Sequence, residues 1–434
     1  MTRQRRILHA LATAVLLAGT LTVTGAAAAA PETSVVPVAP RSTEEKPRAA
    51  AAKPFTDTCD TLRSRRPALL RAGQTRATCT ATPAPERVAA ARAANPRARA
   101  ATADGPVWCS ELGDNQYWYT RSSICLDAIP VEFFLINLQT GAIIGSALLE
   151  VSQAAELRDT SASWSEYAAI VMLARFGQVS TLNVSLEAAC NNGCTATKSN
   201  AWGMENLTLF ETEEGTLEYA GNPSGQVSIT PTYTLTMLAP GAVPLVPTTS
   251  WTLPDVLSIR CDNLVGSNPG CVVPLYTPSL LLSWGSQGAG AVMISWAQQY
   301  LADGWGWEGV GAPLRRLADT SLQERNRGII CDGTFTRLPQ VPDDSCDEFA
   351  FAGSYESGAM LGLSGSDCAE ILPYIDDVTG QWYIQYLKPV TGSERCVRAH
   401  VSRPSNVDVG GELGRFVQRE RLLDYEEYWV ATTY

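Results

Sequence analysis

Apolar and polar positions alternate along much of the chain between residues 108 and 300. In "TLNVSLEA", Leu182, Val184 and Leu186 fall on one side and Asn183, Ser185 and Glu187 on the other, the period of a strand with one buried face. "VEFFLINL" and "QVSITPTYTLTM" also read as strands, and "LQTGA", "NNG", "NPSG" and "GSNPG" supply turns between such runs. Together they predict an antiparallel, all-β sandwich. The pattern changes after about residue 312. Ser321 followed by Glu324 reads as a capping box opening a helix that Gly328 closes. "QWYIQYL" and "RCVRAHV" alternate as strands, and "GGELGRFVQRE" places Leu413, Phe416 and Val417 on one helical face. Helices and strands in this order predict a small α+β domain built on an antiparallel sheet.

Composition divides the rest. Arg3, Arg5 and Arg6 precede an apolar run from Ile7 to about Val23 and then small residues, so 1–30 reads as a signal peptide cleaved near Ala27 to Ala30. The Arg5-Arg6 pair fits either the general or the twin-arginine export route. The later apolar stretch "LTMLAPGAVPLVPTTSW" is broken by Pro240, Pro244 and Pro247, so no membrane span is expected in the mature protein. All 12 Cys lie beyond the signal at irregular spacings, which favours disulfides over a zinc site. The expectation is a secreted, extracellular protein of more than one domain.

Residues 31–107 are rich in Ala, Pro and Arg, and residues 41–104 hold thirteen Lys and Arg against six Asp and Glu. This segment reads as a linker or pro-region, closed locally by Cys59 and Cys79, with attraction to a polyanion as the sharper alternative. Residues 108–311 form the β-rich domain. No reactive constellation groups within it, so it reads as a binding, targeting or stabilising module, with cell-envelope or polysaccharide contact as the candidate role. Trp305 and Trp307 are either a stacking surface or core aromatics. Residues 312–434 form the last domain.

Histidine is scarce enough to exclude chemistry. His9 lies in the signal, leaving His400, so two-histidine mechanisms and multi-His metal sites fall away. No G-x-S-x-G elbow and no nucleotide-binding glycine loop is present. Carboxylate chemistry remains, either glycoside hydrolysis by an acid pair or hydrolysis assisted by a hard cation. In "RCVRAHV", Val397, Ala399 and Val401 face a core, so Arg398 and His400 project together, a pairing suited to a phosphodiester. Asn406 and Asp408 precede a helix expected to open at Gly410 and Gly411, whose N–H groups would cradle phosphate. In "DDSCDEFAFAGSYESGA", Asp347 and Glu348 point to opposite faces of a strand, Cys346 anchors the segment from behind, and Glu356 returns after a bend at Gly353-Ser354. A surface Arg/His face, a plain helix cap and a buried salt-bridge cluster are the structural alternatives.

"SCDEFAFAGSYESGA" resembles the "CDEYPFAST-(Y/Q)-(E/Q)-G" signature of secreted bacterial deoxyribonucleases of the NucA/NucB type. "APLRRLADTSLQERNRGIIC" is similar to that family's lead-in helix and "NVDVGGELGRFVQRERLLDYEEYWV" to its closing segment. The resemblance covers the last 120 residues or so in three ordered blocks and does not extend to the middle domain. It implies a metal-dependent endonuclease acting on DNA with little sequence preference. Asp347 and Glu348 match the acidic pair, Glu356 the later acid, and Asn406 the Asn before the closing helix. Ala350 replaces the usual Pro, Ser357 separates Glu356 from Gly358, and "LDYEEYW" replaces the commoner "LDGDPF", which puts any role of Asp424 in doubt.

Over 312–434, nineteen acidic residues outnumber twelve basic ones, against the usual charge of a DNA-binding surface. A local basic face drawn from Arg315, Arg316, Arg325, Arg327, Arg398 and Arg415 is therefore expected. The reading is a secreted endonuclease of extracellular DNA in which Asp347 and Glu356 hold Mg²⁺ or Mn²⁺ with Asn406 as a further ligand. His400 or Glu348 serves as general base, Arg398 stabilises developing charge, and Asn406, Gly410, Gly411 and Arg415 bind substrate. The alternatives are a catalytically inactive binding or adhesion protein on the same scaffold, and a glycosidase that needs no metal.

Overall fold

The computed structural model describes residues 35–37, 46–52, 57–94, 109, 116–191, 193–240, 243–244 and 248–434. The expected signal segment lies outside them. The described chain is mostly strand, arranged in several sheets, with five helices. The strands Ser123–Asn137, Ile143–Arg158 and Ser161–Gly177 run antiparallel at the centre of the largest sheet. A second sheet contains Asn200–Thr208, Thr181–Ala189, Thr232–Leu238 and Thr248–Thr252 in that order. Leu182, Val184 and Leu186 of the second share one core with Val131, Leu149 and Ile170 of the first, so the alternation in "TLNVSLEA" sets which face is buried.

The expected linker is folded over residues 57–94. It forms α1 (Cys59–Arg71), the strand Arg76–Ala81 and α2 (Pro85–Ala94). The strand adds to the large sheet beside Ser123–Asn137, so sheet hydrogen bonds hold a segment too poor in large apolar residues to fold alone. The Cys59–Cys79 disulfide fastens α1 to that strand. Two of its arginines meet sheet carboxylates: Arg87 lies 2.8 Å from Glu132 and Arg92 2.5 Å from Glu150.

The C-terminal unit begins earlier than residue 312. The strand Ser279–Ser283 and α3 (Trp284–Tyr300) share a core with Phe349, Val397, Phe416 and Val430, and Trp305 packs against the same core. Its five-stranded sheet runs Val35–Pro37, Trp382–Tyr386, Ala369–Ile375, Val397–Ser402, Asp344–Phe349. The sheet is mixed rather than antiparallel, because Ala369–Ile371 pairs in parallel with Val397–Ala399. α4 (Thr320–Ile330) is capped by Asp319, whose Oδ1 accepts from Ser321 N and Leu322 N, and it passes through Gly328. α5 (Arg403–Arg419) buries Phe416, with Leu413 and Val417 packed beside it.

The twelve Cys form six disulfides: Cys59–Cys79, Cys109–Cys125, Cys190–Cys194, Cys261–Cys271, Cys331–Cys346 and Cys368–Cys396. Among the described residues no helix is long and apolar enough to cross a membrane.

Candidate active site

The edge strand Asp344–Phe349 carries the acidic motif. Its register sets Cys346 opposite His400, Asp347 opposite Ala399 and Glu348 opposite Arg398. The pleat therefore sends Asp347 and Glu348 to opposite faces, as alternation predicts. Cys346, on the face away from Asp347, is tied to Cys331.

Asp347 packs toward α3 and α5. A Cβ on Gly290 would come within 3.1 Å of its Oδ2 and 2.7 Å of Val409, so only glycine leaves the carboxylate its place. Asp347 Oδ1 accepts from Glu348 N at 3.1 Å, whereas the buried Oδ2 has no hydrogen-bond partner. An unpaired buried carboxylate oxygen is costly unless it is protonated or meets a cation. Burial, and then the neighbouring Glu348 charge, push the Asp347 pKa up to about 8. Burial likewise lifts Glu348 to about 7, opposed by Arg327, whose Nε lies 3.8 Å away, and by the Ala352 N–H.

Both acids border one cleft of about 390 Å³, together with Asn406, Gly410, Arg316 and Arg327. Asn406 donates from Nδ2 to Cys346 O at 2.7 Å and Ser345 Oγ at 3.1 Å, which leaves its Oδ1 for a ligand. Gly410 and Gly414 also line the cleft, and a Cβ on either would meet nothing within 4 Å. Their missing side chains keep the cleft open.

The expected helix opening at Gly410 is incorrect. α5 starts at Arg403, with Ser402 as its cap and Pro404 in the first turn, a start signal that lay concealed at the end of a strand pattern. Gly410 and Gly411 lie in the helix interior, where their N–H groups serve the helix, and no phosphate cradle forms there.

Arg398 and His400 do share a face, but it is sealed. Arg398 donates to Thr334 Oγ1 at 2.9 Å, Glu370 Oε2 at 2.8 Å, Asp332 Oδ1 at 3.2 Å and Ile330 O at 3.3 Å. His400 lies between Asp344 Oδ2 at 2.7 Å and Glu370 Oε1 at 3.3 Å, beneath the Phe335 ring. Partial burial pushes the Glu370 carboxyl up, but hydrogen bonds from His400 and Arg398 pull it down to about 2. Neither Arg398 nor His400 borders the cleft, and both are buried among these partners.

Glu356 lies elsewhere. Its two oxygens accept from Arg315 N and Arg315 Nε, each at 2.7 Å, and it does not border the cleft. Arg415 is exposed and paired with Glu412 at 2.9 Å, outside the cleft. Of the expected basic face, Arg316 and Arg327 reach it. Cys331, Cys346 and Glu348 lie close enough to suggest a metal group, but the two sulfurs are bonded to each other and offer no thiolate. The fitting donors are oxygens, Asp347 Oδ2 and Asn406 Oδ1; Glu348 projects from the opposite face of the strand and is not grouped with them. Hard donors with few carboxylates suit a Mg²⁺-like ion that keeps part of its hydration.

Sequence reasoning missed Gly290, whose only signal is a glycine inside a helix, and residues Leu264 to Gly266, which reach the cleft from the β-rich unit. No protein-family model matches the chain, and no curated protein matches it either.

Proposed function

We propose that the protein is a secreted, divalent-metal-dependent endonuclease and that the cleft between the edge strand and α5 is its active site. The observation that carries this reading is the buried, unpartnered Oδ2 of Asp347, a residue that lines one cleft with Glu348 and Asn406. The likeness of "SCDEFAFAGSYESGA" to the NucA/NucB signature supports DNA as the substrate, since those residues build the cleft. Asp347 and Asn406 would hold Mg²⁺ or Mn²⁺, which when bound supplies positive charge at the scissile phosphate. Glu348, whose pKa burial raises to about 7, takes the proton from the attacking water in its ionised form. Arg327 and Arg316 face the non-bridging oxygens as charge develops on them.

Incubation of the purified protein with supercoiled plasmid, with Mg²⁺, with Mn²⁺ and with EDTA, tests this. Metal-dependent relaxation and linearisation is expected. Intact plasmid throughout, with binding retained, favours a catalytically inactive binding protein. Activity on glycans that survives EDTA favours a glycosidase.

A further inference from the structure

The cleft is not built by the C-terminal unit alone. Leu264, Val265 and Gly266 line it, and they belong to the turn between the strands Ile259–Asp262 and Gly270–Val272 of the β-rich unit. The base of this turn is closed twice, by strand pairing and by the Cys261–Cys271 disulfide. Arg421, just beyond α5, fixes it to the C-terminal unit. Its guanidinium donates to Asp262 Oδ1 at 2.6 Å, Asp262 O at 2.8 Å and Asn268 O at 3.1 Å, and both side chains are buried. Arg421 adopts φ 47° to do so, a left-handed conformation that a helix end usually gives to glycine. A second arginine from the β-rich unit, Arg121, reaches Glu420 O at 2.8 Å and Glu426 at 3.1 Å. The turn is therefore a fixed wall of the cleft.

We infer that this wall makes the cleft prefer unpaired nucleic acid, so that a single strand is cut faster than a duplex. The inference rests on the nuclease reading above. Asp347 and Glu348 are only 7% and 5% exposed, so the phosphate must come to a recessed position between the turn and α5. A duplex carries its phosphates on a stiff convex backbone flanked by the second strand, which meets the turn first. A single strand bends locally and can place one nucleotide in a confined pocket, as enzymes acting on extruded bases require. Leu264, 59% exposed, presents an apolar side chain beside that path, suited to an unstacked base.

The test uses the full protein, a variant with Val265 and Gly266 deleted, and Leu264→Ala in case the deletion does not fold. An end-labelled oligonucleotide is offered alone and annealed to its complement, with Mn²⁺. The unmodified protein is expected to cut the single strand at least roughly tenfold faster, a modest steric penalty on the rate scale. The deletion should narrow that ratio by raising the duplex rate, and Leu264→Ala by lowering the single-strand rate. Equal rates on both substrates, or a ratio unchanged in both variants, overturn the inference while leaving the nuclease reading intact. An equal rise on both substrates marks the turn as a general cover and also overturns selectivity. Failure of every protein to cut either substrate overturns the nuclease reading and this inference with it.

Discussion

Asp347 and Glu348 are adjacent in sequence and lie on opposite faces of the edge strand, one against α3 and α5 and the other opposite Arg398, yet both border the same cleft. Burial raises both carboxyls, to about 8 and about 7. Near pH 7 Asp347 favours the neutral form and Glu348 is about half ionised, unless further positive charge enters the cleft. In the proposed mechanism the pair divides into a group that a bound cation would ionise and a group that would move a proton.

Gly410→Leu separates stability from function. Replacing a helix-interior glycine adds roughly 0.5–1 kcal/mol of helix preference, and a Cβ there meets nothing within 4 Å. The side chain projects into the cleft instead. The melting temperature should rise or hold while plasmid cleavage falls sharply.

His400→Gln should act on folding rather than on catalysis. The ring is buried between Asp344 and Glu370, and its loss leaves Asp344 without its partner at 2.7 Å. Leu338 N still donates to the same Asp344 oxygen, so the cost is that of a lost buried hydrogen bond, typically about 1–3 kcal/mol. Denaturant unfolding should show a loss of that size, with turnover per folded molecule largely retained.

Glu166 gives the β-rich unit a pH dependence of its own. It is fully enclosed, accepting from Tyr219 at 2.8 Å, Tyr233 at 2.9 Å and Gln153 at 3.0 Å, and burial raises its pKa from 4.5 to about 7. The folded state keeps the proton to higher pH than the unfolded state does. Its contribution is therefore greatest below the unfolded value and is lost as pH rises through about 7, a change on the order of 3 kcal/mol. Urea unfolding across that range should become less pH-dependent in Glu166→Gln.

Much of the architecture was legible because strand period and turn residues are local signals. "TLNVSLEA" and "RCVRAHV" revealed which side chains share a face, and the opposed placement of Asp347 and Glu348 followed from the same rule. What failed depended on partners distant in sequence. Nothing local reveals that Arg398 meets Glu370, that Glu356 is held by Arg315, or that Arg421 grips Asp262. The segment 57–94 looked too polar to fold because its stabilising neighbours are the long strands after residue 122. The start of α5 was missed because Ser402 ends a strand and caps a helix at once.

Asp347→Asn and Glu356→Gln, compared side by side for Mn²⁺-dependent plasmid cleavage normalised to folded protein, separate a cleft acid from a structural one. Asp347→Asn should lose cleavage by roughly a hundredfold or more, as removal of a transition-state charge group does, with stability unchanged or raised. Glu356→Gln should lose stability yet keep its turnover per folded molecule. Full activity in Asp347→Asn, or loss confined to a well-folded Glu356→Gln, would contradict the assignment of the active site to this cleft.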